Sequence, residues 1–554
     1  MFTATPVHGF IIRNMKTDQE LYRQLRGLSC EQLWQEEVAR FDRASPRERF
    51  QRVAVIRAVG VAFARARTAE QKAAARAWLA RLLHDPQEKI RRYAMGALPK
   101  LGAGRREEAE LLALLRTTTA EREQKFLGRA LDKIGGTATL DVVAGAPGVL
   151  PQTEQKVKAS VARRQSPSTV RLDCVVSRFT GLRIHLRCRR GLETIVRDEV
   201  QERIGPRGQF RLAEVRSGLV ALVPAVPFAL ADLYALRCFG TVNFVLGTVS
   251  ERLQSCGGTV GGRPPAGGRP YIGDPLPVNE TDPAGFVEAL AAVIAAPSTR
   301  YLFSTLTEGS LRYRLDFVAK GHQRGAVRLV ANRAYALCPE LLNDARSAPW
   351  SIDVHPAGRG SSVELRPRLS PDPRFSYRQD DIPAASHPPL AACMARLAGR
   401  VSGEIVWDPF CGSGLELIES ALLGGVQAVY GTDLSPEAVA IAQANFAAAK
   451  QPSVQAKFVC GDFRDFVTVP GLGPDSVTLM ITNPPMGRRL RIPNLRGLLA
   501  DLFAVAAAAL KPGGRLVFAN PLRIEPRDPS LRLQFRQVVD LGGFDCRLEK
   551  YLKA

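Results

Sequence analysis

The sequence predicts a multidomain chain that is α-helical at its start, α+β in its centre and α/β at its end. Three observations carry this expectation. At 554 residues the chain exceeds what one hydrophobic core organises, since domains run to ~100–200 residues. Residues 1–150 are rich in Ala, Leu, Arg and Glu, and their apolar residues recur at helical spacing. Beyond about residue 172 strand-like and helical stretches alternate, and from Ser386 onward apolar runs end in Gly turns and acids.

Composition narrows the function classes. An apolar fraction of 45% and a charged fraction of 23% are those of ordinary folded domains. No run of ~18 apolar residues suggests a membrane span, and the opening MFTATPVHGF lacks the charged-then-apolar order of a secretory signal, so the expectation is a cytoplasmic protein with no membrane partner. The ten cysteines form no CxxC pair and have no close His partner, which points away from a disulfide frame and from a metal site. Formal charge is +22, and so basic a chain attracts polyanions, with nucleic acid the leading class.

The helical part, 1–150, carries a repeat. GALPKLGAG around Ala97 and RALDKIGGT around Ala130 align, and IRAVGVAFA upstream is a weaker copy. LLHDPQEKIRRYAMGALPKLG resembles a HEAT-type unit, with a turn at Asp85-Pro86 between two helices. Stacked HEAT-like units present a long surface to partners, so the arm is expected to extend a grip on substrate or to recruit a protein. Residues 151–175, polar and containing QTEQKVKASVARRQSPS, read as a linker.

The central region, 176–370, opens with LRIHLRCRRGLETIVRDEV, a strand, a tight turn at Gly191 and a helix begun by Glu193. LRYRLDFVAKGHQRGAV and SSVELRPRL read as period-2 strands with arginines on one face. CGGTVGGRPPAGGRP, within an insertion near 254–275, is Gly/Pro-rich and reads as a flexible excursion. RCRRGLETIVRDEV and RSGLVALVPAVPFALADLYALRCFGTVNFVL resemble the entry region of THUMP-containing RNA methyltransferases. The resemblance implies a ferredoxin-like subdomain followed by a THUMP-like RNA-binding part.

The last region, 371–554, holds the chemistry. GEIVWDPFCGSGLELIESALLGG is a strand, a turn with Gly412 and Gly414, and a helix. Neither a third glycine in register nor a P-loop lysine is present, which excludes the dinucleotide and triphosphate loops. VQAVYGTDLSPEAVAIAQANF ends its strand at Asp433, an acid about 20 positions past the Gly turn and placed for ribose hydroxyls. AKFVCGDFRDF ends at Asp462, and SVTLMITNPPMGRRL ends at Asn483, Pro484, Pro485 and Met486. Polar groups at the carboxyl ends of successive parallel strands mark a ligand edge.

This segment is similar to methyltransferases, and that resemblance implies a role for the final tetrad in methyl transfer to an exocyclic amine. Such a nitrogen is a weak nucleophile because its lone pair is delocalised into the ring. The Asn483 carboxamide oxygen and the Pro484 carbonyl, stiffened by the two prolines, would each accept one N–H and localise that pair. Gly487 permits close approach, and Arg488, Arg489 and Arg491 are candidates for phosphates around the target.

DPFCGSG followed by NPP resembles the amino-methylating branch of the class I S-adenosylmethionine-dependent methyltransferases, a Rossmann-like fold. The resemblance implies that Asp408, Phe410, Gly412 and Gly414 border the methionine part of S-adenosylmethionine, that Asp433 binds its ribose and that Asp462 meets its adenine amino group. ASHPPLAACMARLA resembles the segment that closes over the cofactor. The family usually has an aromatic residue where Met486 stands; a thioether also lies on a purine face, with weaker stacking. The reading that follows is methylation of guanine N2 in tRNA or rRNA. The same geometry serves any planar amine or amide, so adenine N6 in DNA or RNA and glutamine N5 in a protein stay open. An RNA-binding scaffold without activity is a further reading, which Met486 favours and the intact Gly412, Gly414, Asp433, Asp462 and Asn483 oppose.

Overall fold

The computed structural model describes residues 18–66, 68–102, 104–144, 151–165, 167–250, 283–318, 323–357, 360–383, 385–487 and 492–554. The expected insertion near 254–275 lies outside them. The chain forms two compact units. One comprises Met1–Ser168 with Gly309–Arg314 and Arg328–Ala348; the other comprises Thr169–Glu308, Leu315–Val327 and Pro349–Ala554.

In the first unit the three copies of the repeat are helices that pack in sequence. Ala54–Ala62 lies on Glu88–Ala97, which lies on Glu121–Ile134. Small residues allow the approach: a Cβ placed on Gly60 would come within 2.8 Å of the Ala97 Cβ. Arg91 ties two copies by donating through Nη2 to Glu123 Oε2 at 2.8 Å, and Asp85 at the expected turn accepts from Arg49 at 2.7 Å.

The expected linker is a correction. Pro151–Gln165 is a helix that packs on Glu121–Ile134, burying Val157 and Ala159. Lys156 pairs with Asp132 at 2.9 Å, and Ser160 Oγ donates to the Lys133 carbonyl at 3.1 Å. Its composition is polar because one face is solvated, and four buried positions, Gln155, Val157, Ala159 and Ser160, suffice to dock the other.

A second correction concerns LRYRLDFVAKGHQRGAV. Only Arg312–Phe317 is strand, and Arg324–Leu337 is helix. Arg312 is buried rather than displayed, with Nη1 donating to Asp344 Oδ2 and Ser347 Oγ, each at 3.1 Å. Arg366 likewise turns inward to Asp353. The alternation is genuine for the strand, but these arginines satisfy buried carboxylates.

In the second unit, six antiparallel strands run in the order Trp350–Ala357, Gly360–Pro367, Thr241–Ser250, Arg183–Arg187, Leu219–Pro224 and Phe210–Arg216. The turn at Gly191 has φ +95°, and a Cβ there would fall 2.0 Å from the Val538 carbonyl oxygen. Only glycine permits this contact between the turn and the C-terminal domain. Glu193, the first residue of the next helix, accepts from the Gly191 amide at 2.9 Å.

The C-terminal domain of this unit is a seven-stranded sheet. Its strands are β1 (Glu404–Asp408), β2 (Val426–Asp433), β3 (Gln455–Cys460), β4 (Val477–Thr482), β5 (Leu510–Asn520), β6 (Leu531–Asp540) and β7 (Asp545–Lys553). They lie in the order β3-β2-β1-β4-β5-β7-β6, with β1 to β5 parallel and β7 antiparallel to both neighbours. The helices are α1 (Pro388–Ala398), α2 (Leu415–Leu423), α3 (Pro436–Ala448) and α4 (Leu495–Ala509). Strand order reverses between β1 and β4, and at such a switch point the loops diverge and leave a crevice.

Candidate methyl-transfer site

The four adjacent strands β3, β2, β1 and β4, which span the switch, end in the residues the sequence singles out. Asp408 closes β1, Asp433 closes β2, Asp462 follows β3 by one glycine, and Asn483 follows Thr482 at the end of β4. Adjacent strands lie ~4.8 Å apart, so Asp433 and Asn483, two strand steps apart, are separated by roughly 10 Å along the edge. That is the scale of a nucleoside with a short chain attached.

The turn after β1 is held by its own backbone. Asp408 Oδ1 accepts the Phe410 amide at 3.0 Å, and the Cys411 amide donates to the Thr432 carbonyl at 2.9 Å. Gly412 (φ +52°) donates its amide to Asp433 Oδ2 at 3.0 Å. Gly414 (φ +83°) begins α2 and sits where a Cβ would meet the Ala442 Cβ at 3.2 Å. Both glycines are required by left-handed backbone, and Gly414 also by the nearness of α3.

The acids differ in environment. Asp408 is fully buried beside the Thr482 side chain. Burial and the neighbouring Glu416 carboxyl push its pKa well above the ordinary range, because a low-dielectric site disfavours the charged form. Asp433 is half-buried and accepts the Ser435 amide through Oδ1 at 2.9 Å. One backbone donor per oxygen leaves lone pairs for two hydroxyls. Asp462 caps the short helix Phe463–Thr468 and pairs with Arg464 at 2.8 Å. Phe410 stacks against Phe463 with ring centroids 4.8 Å apart, giving this end an apolar wall.

Asn483 donates through Nδ2 to Ser386 Oγ at 2.8 Å, and its Oδ1 is buried without a partner among the described residues. Pro484 is buried, Pro485 and Met486 are half-buried, and Gly487 has φ +71°. Arg488, Arg489 and Arg491 lie outside the described residues.

Several contributors were not legible from sequence. Ser386 lies just before α1, in the segment expected to close the site. Glu416, two residues past Gly414, accepts the Ser386 hydroxyl proton; two acids, Glu416 and Glu419, in an otherwise apolar helix were a usable signal. Asn445 on α3 accepts the Gln379 amide at 2.9 Å and donates to the Ser413 carbonyl at 3.0 Å. It thereby fastens the segment before α1 over the Gly turn, and Ile382 lies 3.4 Å from where a Gly412 Cβ would stand.

Residues 376–529 match the family model described as RMKL-like, methyltransferase domain. The chain is 30% identical over 150 residues to tRNA (guanine(10)-N2)-dimethyltransferase of Methanocaldococcus jannaschii, covering 26% of this chain and 40% of the relative. It is 31% identical over 187 residues to ribosomal protein L11 methyltransferase of Teredinibacter turnerae, covering 32% and 56%. A probable tRNA (guanine(10)-N2)-dimethyltransferase of Methanothermococcus thermolithotrophicus is 29% identical over 139 residues, 24% of this chain and 81% of the relative. The chain thus spans about half the length of the first two. Among solved structures, TrmN from Thermus thermophilus aligns over 67% of this chain and all of its own at TM-score 0.50 and 20% identity, a likeness of fold. The C-terminal domain is a methyltransferase domain.

Proposed function

We propose that the chain methylates an exocyclic amine of RNA, with guanine N2 of tRNA or rRNA as the target. The observation that carries the reading is the buried Asn483 Oδ1, unpartnered among the described residues, at the carboxyl edge of β4. A buried acceptor without a donor is costly, and the N–H of a substrate amine satisfies it. The tRNA methyltransferases among the relatives and the charge of +22 support RNA as the substrate class.

Bound S-adenosylmethionine supplies an activated methyl on a sulfonium. Asp433 would hold the ribose hydroxyls, Asp462 would accept from the adenine amino group, and Asp408, Phe410, Gly412 and Gly414 would border the methionine end. Asn483 Oδ1 and the Pro484 carbonyl accept the two amine N–H groups, favouring a pyramidal nitrogen whose lone pair faces the methyl. Pro485 stiffens that turn, and Met486 lies on the base. Arg488, Arg489 and Arg491 hold flanking phosphates. The central region acts as a THUMP-like grip on RNA, and the helical unit, as a HEAT-like arm, extends it or recruits a protein.

Methyl transfer from tritiated S-adenosylmethionine to separate pools of unmodified tRNA, rRNA, DNA and protein, followed by nucleoside analysis, tests the reading. Label is expected as N2-methylguanosine in an RNA pool. Asn483→Ala should lower kcat by about 10²- to 10³-fold, the loss of one transition-state hydrogen bond, while S-adenosylhomocysteine still binds. Label in N6-methyladenosine would move the target base. The L11 methyltransferases among the relatives favour a second reading, a protein amine or amide, which label confined to the protein pool would select.

A further inference from the structure

We propose that Ser386 and Glu416 are positioning residues that decide which edge of the Asn483 carboxamide faces the methyl acceptor. The inference rests on the proposed role of Asn483. A carboxamide has two edges of similar shape and opposite polarity, and only the oxygen edge accepts from an amine. Presented the other way, Asn483 would offer N–H groups to an amine that also offers N–H groups, and the nucleophile would be repelled.

The structure selects the edge through one hydroxyl. Ser386 Oγ has a single proton, which it donates to Glu416 Oε1. That leaves the hydroxyl only lone pairs for its other neighbour, and it accepts from Asn483 Nδ2 at 2.8 Å. Turning the carboxamide over would set oxygen against oxygen, so Oδ1 is directed away from Ser386 and has no partner among the described residues. Glu416 is almost wholly buried on α2. Burial raises its carboxyl pKa, yet either protonation state keeps an oxygen that accepts from the serine. The three side chains come from three places, the segment before α1, the start of α2 and the end of β4. The relay therefore joins the covering segment and the Gly turn to the methyl-acceptor subsite.

The test compares Ser386→Ala with Ser386→Thr and Glu416→Ala with Glu416→Gln in the full chain, on the RNA pool that accepts label. Both alanine variants are expected to lose tenfold or more in kcat, with KM for RNA and S-adenosylhomocysteine affinity within about threefold of wild type. Threonine keeps the hydroxyl and glutamine keeps the acceptor oxygen, so each should return kcat to within about threefold. Urea unfolding of the single and double variants gives a readout that needs no turnover: Ser386→Ala and Asn483→Ala should be non-additive, as for directly bonded partners. Equal kcat loss in Ser386→Ala and Ser386→Thr, or additive unfolding effects, overturns the relay. So does a loss appearing in cofactor affinity with kcat intact. An Asn483→Ala chain as active as wild type, or a wild type that labels no pool, overturns the proposed function itself and the relay with it. Normal loss in Asn483→Ala with full activity in Ser386→Ala and Glu416→Ala overturns the relay alone.

Discussion

Met486 follows the two prolines and is half-buried, and the proposed function lays it on the face of the target base. A thioether on a π-face contributes roughly 0.3–1.5 kcal/mol, whereas an aromatic ring stacked on a base contributes about 1–3 kcal/mol. Met486→Tyr should therefore lower KM for the RNA substrate by about fivefold and leave cofactor affinity unchanged. Steady-state kinetics on the labelled pool measures this, and a raised KM would show that the side chain does not lie on the base. The neighbouring acids show why residue type alone does not assign a role. Asp408 and Asp433 both end parallel strands, yet the first is sealed in with its pKa pushed up by burial while the second keeps lone pairs at a half-buried edge.

Elements are held by approaches that one atom can spoil. In the helical unit Gly60 faces Ala97 with no room for a Cβ. Gly60→Ala is accordingly expected to destabilise that unit by about 1–3 kcal/mol despite the better helix propensity of alanine, a shift that chemical denaturation will read; a stabilised variant would mean the helices separate freely. In the second unit the strand Gly360–Pro367 buries Glu364, which binds His185 Nδ1 at 2.8 Å and Arg187 Nε at 2.8 Å. Burial by itself would raise its pKa, but these hydrogen bonds and charges outweigh it and lower the value from 4.5 to about 2. A carboxylate depressed in the folded state stabilises fully above its unfolded value. That contribution, about 3 kcal/mol at most, is lost as pH falls from about 4.5 toward 2. Unfolding followed against pH should show this acid limb in wild type and a flatter one in Glu364→Gln; an unchanged limb would assign it to other carboxylates.

For the whole molecule the dominant quantity is a charge of +22. If RNA is the partner, binding releases condensed counterions and affinity falls steeply with salt. Raising salt from about 50 to about 200 mM should weaken RNA binding by tenfold or more, which filter binding across a salt series will show. A flat series would make the charge a general surface property and strengthen the protein-substrate reading. Not every arginine contributes to such a field. Arg312, Arg366, Arg374 and Arg237 are committed to internal acceptors.

The sequence by itself determined the order of the parts, the parallel strands of the C-terminal domain and the residues at their carboxyl ends. Those signals are local: periodicity, a glycine at a turn, an acid closing an apolar run. It also placed the repeat helices, because each copy carries its own pattern. Tertiary structure decided the rest. A polar segment became a docked helix because a neighbour offered a matching face, and strand arginines turned inward because Asp344 and Asp353 lay within reach. The hairpin of β6 and β7 was also unread, since its pairing lies with β5 rather than in its own pattern. Most consequential is the orientation of Asn483. Its identity is local, but which edge it presents depends on a serine 97 residues away in the chain and on the glutamate to which that serine donates. Hydrogen-bond direction is a property of the assembled network, and no stretch of sequence contains it.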